Sequence, residues 1–380
     1  MAAEAERVLG DMLAVGIVVD VGDSTPLALS RRSIAGHPLP DRRSQRAARA
    51  VLDLAHGLGH EDILLVLLSG GASALLAAPA PGITLGDKAR TTNVLLRAGA
   101  DIQALNAVRK HLSRLKGGWL AAAACPARLA CLVLSDVVGD DLATIASGPT
   151  VPDPTTFGDA RAALERFRLW RLVPAPVRRA IVAGEAGRRP ETPKAGSPAF
   201  RRTRTSIIGS GSLSLKASDR AARDLGLRTT ILTSCLTGEA GEVGRDLVAA
   251  LHRRVVALPR GSAPICLLAA GETTVTVRGG GRGGRNQVLA CSAAEALATS
   301  GVRGVVAALG TDGIDGNSPA AGGIVDHRTT EKARRMGLPP LGDFLDQSDT
   351  FGFLSALGDA IVTGPTGTNV ADLVVLLASA

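Results

Sequence analysis

The chain has 380 residues, 46% hydrophobic and 21% charged, a balance that fits about two globular domains and excludes long disordered tracts. Its net charge is +8, but arginine far outnumbers lysine and alanine is abundant, so part of that excess follows composition rather than a dedicated basic face. With no Tyr, two Trp and six Phe there is little to stack on bases, which argues against nucleic acid and leaves small anions as partners for the surplus charge.

Five cysteines (Cys125, Cys131, Cys235, Cys266, Cys291), odd in number and without a C-x-x-C pair, lead us to expect a reduced, cytoplasmic protein without structural zinc. The start, "MAAEAERVLGDML", has neither the basic residues nor the apolar core of a secretory signal. Ile63 to Gly86 carries no charge, yet Gly70, Gly71, Pro79, Pro81 and Gly82 would break a membrane-spanning helix. A buried strand, a glycine turn and a short helix fit that stretch better.

In chain order, "GIVVDV" reads as a strand, and "DRRSQRAARAVLDLAHGLG" as a helix with Ala47, Ala48, Val51, Leu54, Ala55 and Leu58 on one face and Asp41 as its cap. "DILLVLLS" is a strand, "LGDKARTTNVLLRAG" a helix, "QALNAVRKHLSRLKGG" a helix ended by glycines, and "LACLVLS" a strand. Residues 184–205, rich in Pro, Gly and Arg, read as a linker or long surface excursion. A second alternation follows: "TSIIGS", "LSLKASDRAARDLG", "RTTILTS", "GEVGRDLVAALHRR", "PICLLAAGETTVTV", "NQVLACSAAEALATSG" and "VRGVVAALG". The closing "AIVTGPTGTNVADLVVLLA" reads as two strands around a glycine turn. Such alternation predicts parallel strands with crossover helices on both faces.

Ligands of open α/β sheets bind beyond the carboxyl ends of strands, so the strand ends are where chemistry is sought. Ser69-Gly70-Gly71-Ala72-Ser73 is either an anion cradle or an ordinary strand-to-helix turn. Asp136, followed by Gly139, Asp140 and Asp141, suits a metal ligand or general base, with helix capping as the plainer role for Asp140 or Asp141. Asn106, Arg109, Ser113 and Lys116 form a polar stripe at helical spacing, either solvated or lining an anionic cleft.

"TVRGGGRGGRNQ" sets Arg278, Arg282 and Arg285 among five glycines, a pattern closer to a phosphate clamp than to a dinucleotide turn. Gly209-Ser210-Gly211-Ser212-Leu213-Ser214 misses the third glycine of that turn, and "TTILTS" ends without the acid that would hold a ribose. Neither a Walker P-loop, the protein-kinase signatures nor a nucleophile elbow is present. In "LGTDGIDGNSPAAGGIVD", Asp312 and Asp315 are turn-formers, carboxylates offered to a ligand, or both.

Seven of these stretches, in order "GHPLPD", "LLSGGASALL", "LNAVRKHLSRLKGG", "LSDVVGDDLATIASGPTVPDPTTF", "GETTVTVRGGGRGGRNQ", "GTDGIDGNSPAAGGIVD" and "TGPTGTNVADL", resemble the glycerate 2-kinase (MOFRL) family. The resemblance runs from about His37 to Leu373. It implies an α/β protein of two domains with the active site in the cleft between them. Residues 1–190 would be a Rossmann-like parallel-sheet domain, truncated at its start, and 191–380 an α/β domain holding the MOFRL portion, about 264–374.

It also implies ATP- and Mg²⁺-dependent phosphorylation of D-glycerate at the 2-hydroxyl, with no membrane or nucleic-acid partner, and leaves a homodimer possible. On that basis Arg285 meets the transferring phosphoryl group, and Asp312 or Asp136 is metal ligand or base. Lys116, Arg109, Ser69, Gly70, Gly71, Ser73, Asn286 and Thr311 hold substrate or phosphate. Family members open with a strand and a Gly-Lys-Ala turn, whereas "MAAEAERVLGDMLAVGIVVD" matches only from the second half of the following helix, so a sheet lacking a central strand is expected. The alternatives are an NAD(P)H-dependent hydroxypyruvate reductase and a truncated relative that binds without turnover.

Overall fold

The computed structural model describes residues 1–22, 25–259 and 261–379. It forms two compact units, Met1–Val133 with Asp141–Ile208, and Leu134–Asp140 with Gly209–Ala380. The division therefore falls at Ile208–Gly209 rather than at 190, because the expected linker is part of the first unit. Glu191 pairs with the ring of His111 at 3.0 Å and accepts the Phe157 N–H at 2.8 Å, and Thr192 is buried. Satisfying buried polar groups in this way ties an apolar-poor segment down without hydrophobic periodicity.

In the first unit, β1 (Gly16–Asp20) and β2 (Ser30–Ile34) form a parallel pair. A separate sheet has the order β3-β4-β5, from β3 (Ile63–Leu68), β4 (Arg128–Leu134) and β5 (Thr203–Gly209), with β3 and β4 parallel. Helix Arg42–His56 is capped as its sequence predicts: the Asp41 carboxylate accepts the N–H groups of Arg43 and Ser44, and Ala47, Ala48, Leu52 and Ala55 are buried.

A helical core gathers Leu95, Val108, Leu112, Phe157, Leu164 and Ile181 from helices Leu85–Arg97, Ile102–His111, Phe157–Arg166 and Ala175–Glu185 and the turn after the second. The helix expected to reach the glycines at 117–118 stops at His111. Residues 112–114 instead pair with 78–80, through Ala80 N–H to the Leu112 carbonyl at 3.0 Å and Arg114 N–H to the Ala78 carbonyl at 2.9 Å. Ser113 then caps the chain, accepting the Leu115 and Lys116 N–H groups at 3.2 Å each.

The second unit is a six-stranded sheet in the order β10-β9-β8-β11-β7-β6. Its strands are β6 (Arg228–Leu236), β7 (Ile265–Gly271), β8 (Gly304–Gly310), β9 (Gly322–Asp326), β10 (Ala360–Ile361) and β11 (Asp372–Ala378). Only β6 and β7 run parallel. The parallel expectation fails because the last strand inserts antiparallel between β7 and β8. The closing stretch does hold two strands, but they pair with different neighbours and make no hairpin.

Every residue of β7 is buried, since its two faces feed two cores. Ile265, Leu267 and Ala269 join helices Ala240–Val256 and Arg285–Ser300, while Cys266, Leu268 and Ala270 pack with Leu215 and Ala222 of helix Gly211–Asp224. Among the described residues no helix is long and apolar enough to cross a membrane. All five cysteines are free, Cys125 and Cys235 exposed and the other three buried.

Candidate active site

The β11 register sets the geometry of the second unit. Asp372, its first residue, pairs with Gly271 at the end of β7 and with Gly310 at the end of β8. Glu272 and Thr311 are the next residues along those two strands, so Asp372, Glu272 and Thr311 start from one end of the sheet. Arg285 opens helix Arg285–Ser300. Its Nε donates to Asp372 Oδ2 at 2.6 Å and its Nη2 to Oδ1 at 3.0 Å, while Nη1 meets Glu272 Oε1 at 2.9 Å. Burial weighs against the charge on Arg285, but the forked bond to Asp372 and the Glu272 charge outweigh it and raise its pKa.

Glu272 itself is pushed up by burial and by the neighbouring Asp372 and Asp136 charges, against the pull of Arg285. Asp136, in the segment after β4, is likewise raised by burial. Beside it a small concavity is lined by Ser135, Gly139, Gly211, Ser212, Gly271 and Ala371.

The remaining loop residues separate into scaffold and candidate ligands. Asp315, 2% exposed, accepts the backbone N–H groups of Asn286 at 3.2 Å and Gln287 at 2.9 Å, and both side-chain amides as well. It caps the helix that carries Arg285 and is not available to a ligand. Gly284 is forced by this contact, since a Cβ there would lie 2.4 Å from the Asp315 carboxyl carbon. Asn286 is consumed by the same cap through its amide nitrogen, leaving its buried Oδ1 without a partner.

Asp312 makes an Asx turn, accepting the Ile314 N–H on Oδ1 at 3.1 Å. It also flanks Gly310, where a Cβ would sit 3.0 Å from Asp312 Oδ1 and 3.5 Å from Asp372 Oδ1. Thr311 is spent on backbone, donating to the Ala371 carbonyl at 2.7 Å and accepting the Val370 N–H at 2.9 Å. The three arginines of the glycine loop do not converge. Arg282 stacks on Phe351 at 4.8 Å and Arg278 reaches Asp346 at 3.6 Å on the surface. The close glycines there serve loop packing, Gly281 against Asp349.

In the first unit, Lys116 is 1% exposed although it lies beyond the helix. Its Nζ donates to Ser73 Oγ at 3.0 Å and the Ala146 carbonyl at 3.3 Å. Ser147 Oγ, 3.4 Å from Ser73 Oγ, donates to Asn106 Oδ1 at 2.9 Å. Ala146 and Ser147 hold φ of 52° and 61°, a left-handed backbone that costs energy outside glycine. Burial first, then the charges of Arg109 and Lys88, drive the Lys116 pKa well down, and Arg109 is lowered by burial alone. A solvated stripe is thus excluded: Asn106, Ser113 and Lys116 are all buried.

Of the glycine turn, Ser73 joins this cluster. Ser69 is exposed and Gly70 half-buried, and Gly71 (φ 81°) starts a single helical turn, Ala72–Leu75, against the His37 ring. Asp141 caps its own turn through the Ala143 N–H, as the plainer reading allowed.

Sequence reasoning missed Asp372, Glu272 and Lys88. Glu272 had a readable signal, an acid just past the carboxyl end of a strand; Asp372, which opens β11, and Lys88, one charge within an amphipathic helix, had none. Among the described residues no group of three or more His, Cys, Asp or Glu converges as metal ligands. A divalent cation that keeps its waters and phosphate ligands needs only one or two carboxylates; Asp312 and Asp136 are the candidates, while both oxygens of Asp372 are held by Arg285.

Residues 1–182 match the model of a domain of unknown function, DUF4147, and residues 265–372 that of the MOFRL family. The glycerate 2-kinase of Pyrococcus horikoshii is 40% identical over 99% of this chain and 85% of its own length. The D-glycerate 2-kinase of Thermotoga maritima is 40% identical over 99% of this chain and 87% of its own. A putative hydroxypyruvate reductase of Agrobacterium vitis is 42% identical over 99% and 84%. The crystal structure of the Thermotoga maritima glycerate kinase superposes with a TM-score of 0.90 at 39% identity, covering 100% of this chain and 88% of that one.

Proposed function

The chain belongs to the glycerate 2-kinase (MOFRL) family, and we propose that it transfers the γ-phosphoryl group of ATP to the 2-hydroxyl of D-glycerate, giving 2-phosphoglycerate and ADP. One observation carries this reading: likeness to named glycerate 2-kinases runs through both units over nearly the whole chain.

Phosphoryl transfer asks a protein mainly for positioning and charge neutralisation. Arg285 is pre-set for that task by two hydrogen bonds to Asp372 and an ion pair with Glu272, so little reorganisation remains when it meets the transferring group. Asp136, half-buried and raised in pKa, is suited to accept the proton of the attacking hydroxyl. Asp312 would hold Mg²⁺ beside Asp372; bound there, the ion would offset the charge of the β- and γ-phosphate oxygens. Lys116, Ser73 and Arg109 of the first unit bind an anionic group of substrate.

The test is an ADP-release assay with D-glycerate, ATP and Mg²⁺, with the product identified. 2-Phosphoglycerate is expected; 3-phosphoglycerate, or no ADP above a glycerate-free blank, sinks the reading. The Agrobacterium vitis relative's name raises hydroxypyruvate reduction as a second reading. Against it, β6 ends in Ser234-Cys235-Leu236 with no acid to hold a nicotinamide-cofactor ribose, and absence of NADH or NADPH binding by fluorescence would dismiss it.

A further inference from the structure

Helix Leu85–Arg97 carries a lysine that no step above uses. Lys88 is 7% exposed, and its Nζ has no hydrogen-bond partner. A buried ammonium without an acceptor is among the costliest groups a fold can keep. The charges that act on it make this worse: Arg109, from helix Ile102–His111, and Lys116, from the turn that follows.

No acid is among the charges that act on Lys88, and the carboxylates of the surrounding elements have partners of their own. Asp87 bonds Thr84 and Arg90, and Asp153 is held by Lys110. On helix Ala175–Glu185, packed alongside, Arg178 bonds the carbonyls of Arg171 and Val173, Glu185 bonds Arg161, and Arg179 is exposed. Lys88 and Lys116, with the half-buried Arg109, are therefore basic groups with no carboxylate among the charges that act on the two lysines. Asn106, 3% exposed, adds a second orphan donor: its Nδ2 has no acceptor.

We propose that Lys88, Arg109, Lys116 and the Asn106 amide form a buried receptor for one oxyanion group, and that Lys88 takes up a proton from solvent as the anion enters. The inference rests on reading Lys116 and Arg109 as the anion-binding side of a glycerate kinase. The oxyanion is the carboxylate of glycerate or the terminal phosphate of the nucleotide, which present the same chemistry to these donors. Burial, then the charge of Arg109, lowers the Lys88 pKa to about 7, so at pH 8 the empty site keeps the amine mostly neutral. An anion against Nζ reverses that balance, and the proton completes the pair.

The experiment is calorimetric titration of the 380-residue chain at pH 8 with D-glycerate alone, and separately with an ATP analogue whose γ-phosphate cannot transfer, in buffers of differing ionisation enthalpy. One ligand should bind with proton uptake, and that ligand identifies the source of the oxyanion. K88M should lower the uptake by the share of Lys88, leaving that of Lys116, and bind that ligand at least about tenfold more weakly, while unfolding at no lower temperature, because an apolar isostere relieves the buried amine. K88Q serves should K88M fail to fold, and the wild-type uptake is decisive by itself. Binding without proton uptake, or undiminished uptake in K88M, overturns the role of Lys88 and leaves the kinase reading standing. Binding of neither ligand overturns both.

Discussion

Truncating Arg285 separates what holds the second unit together from what drives turnover. Arg285→Ala removes two hydrogen bonds to Asp372, at 2.6 and 3.0 Å, and the ion pair with Glu272 at 2.9 Å. The Asp372 side chain is 4% exposed, so it becomes a buried carboxylate without its cation, while Glu272, 48% exposed, is largely rescued by water. Breaking a buried pair costs roughly 3–5 kcal/mol, and the partial exposure of Arg285 puts this case near the low end, about 3 kcal/mol. A domain stable by about 5–15 kcal/mol survives that loss.

Activity should suffer far more. An arginine on a transferring phosphoryl group is worth about 10³-fold or more in kcat. The assay pairs urea unfolding with ADP release for Arg285→Ala and for Arg285→Ala combined with Asp372→Asn. The second change removes the stranded charge, so it should return most of the stability and none of the rate. A single variant within about tenfold of wild-type kcat, or a double variant that regains turnover, refutes the role of Arg285.

Asp136→Asn should lower kcat by about 10²-fold or more while stabilising the fold at neutral pH, since it deletes a charge that burial disfavours. Ionising a carboxyl whose folded pKa is raised above its ordinary 3.8 costs stability; the gap between variant and wild type should therefore open as pH rises from 3.8 to the raised value, stay constant above it and close below 3.8. Unfolding curves across that range check the sign. Asp312→Asn keeps an acceptor for the Ile314 N–H and so spares the turn; a raised Mg²⁺ requirement with unchanged melting temperature marks the charge as functional, and unchanged kinetics return Asp312 to a turn-former. Asp315→Ala should cost about 2 kcal/mol in urea unfolding by orphaning the N–H groups at the start of helix Arg285–Ser300, and a loss under about 0.5 kcal/mol would contradict its capping role.

Much of the fold was legible because amphipathic period and capping are local. Asp41, the Arg42–His56 helix, β3, β4, β7 and β8 follow directly from residue order. The antiparallel insertion of β11 was not, because the strand that decides it lies far along the chain and its alternation is equally at home in a parallel sheet. The stripe from Asn106 to Lys116 misled for a related reason. Its spacing is helical, yet residues 112–114 bond to 78–80, and tertiary pairing overrode the period. For the candidate site, the sequence names Arg285, Lys116 and Ser73, and the fold bonds Lys116 to Ser73 and Arg285 to Asp372, an acid that only the register against Gly271 and Gly310 brings to that arginine.

The charge of each cluster decides what it can hold. In the first unit Lys88, Arg109 and Lys116 act on one another without an acid among the charges that act on the two lysines, so burial there disfavours the ammonium forms, and an entering anion would restore them. In the second unit one guanidinium faces Asp372 and Glu272, with Asp136 adding to the same field, and the balance is negative. A naked polyphosphate would be repelled by that balance, and the same phosphate neutralised by a divalent cation would not. Arg285 can then turn part of its charge from carboxylate to phosphoryl oxygen without becoming unpaired, because Asp372 keeps its forked grip. Raised salt should accordingly weaken binding at the two clusters unequally, with the buried cations of the first unit screened less than the Arg285–Glu272 pair, whose partners are 33% and 48% exposed.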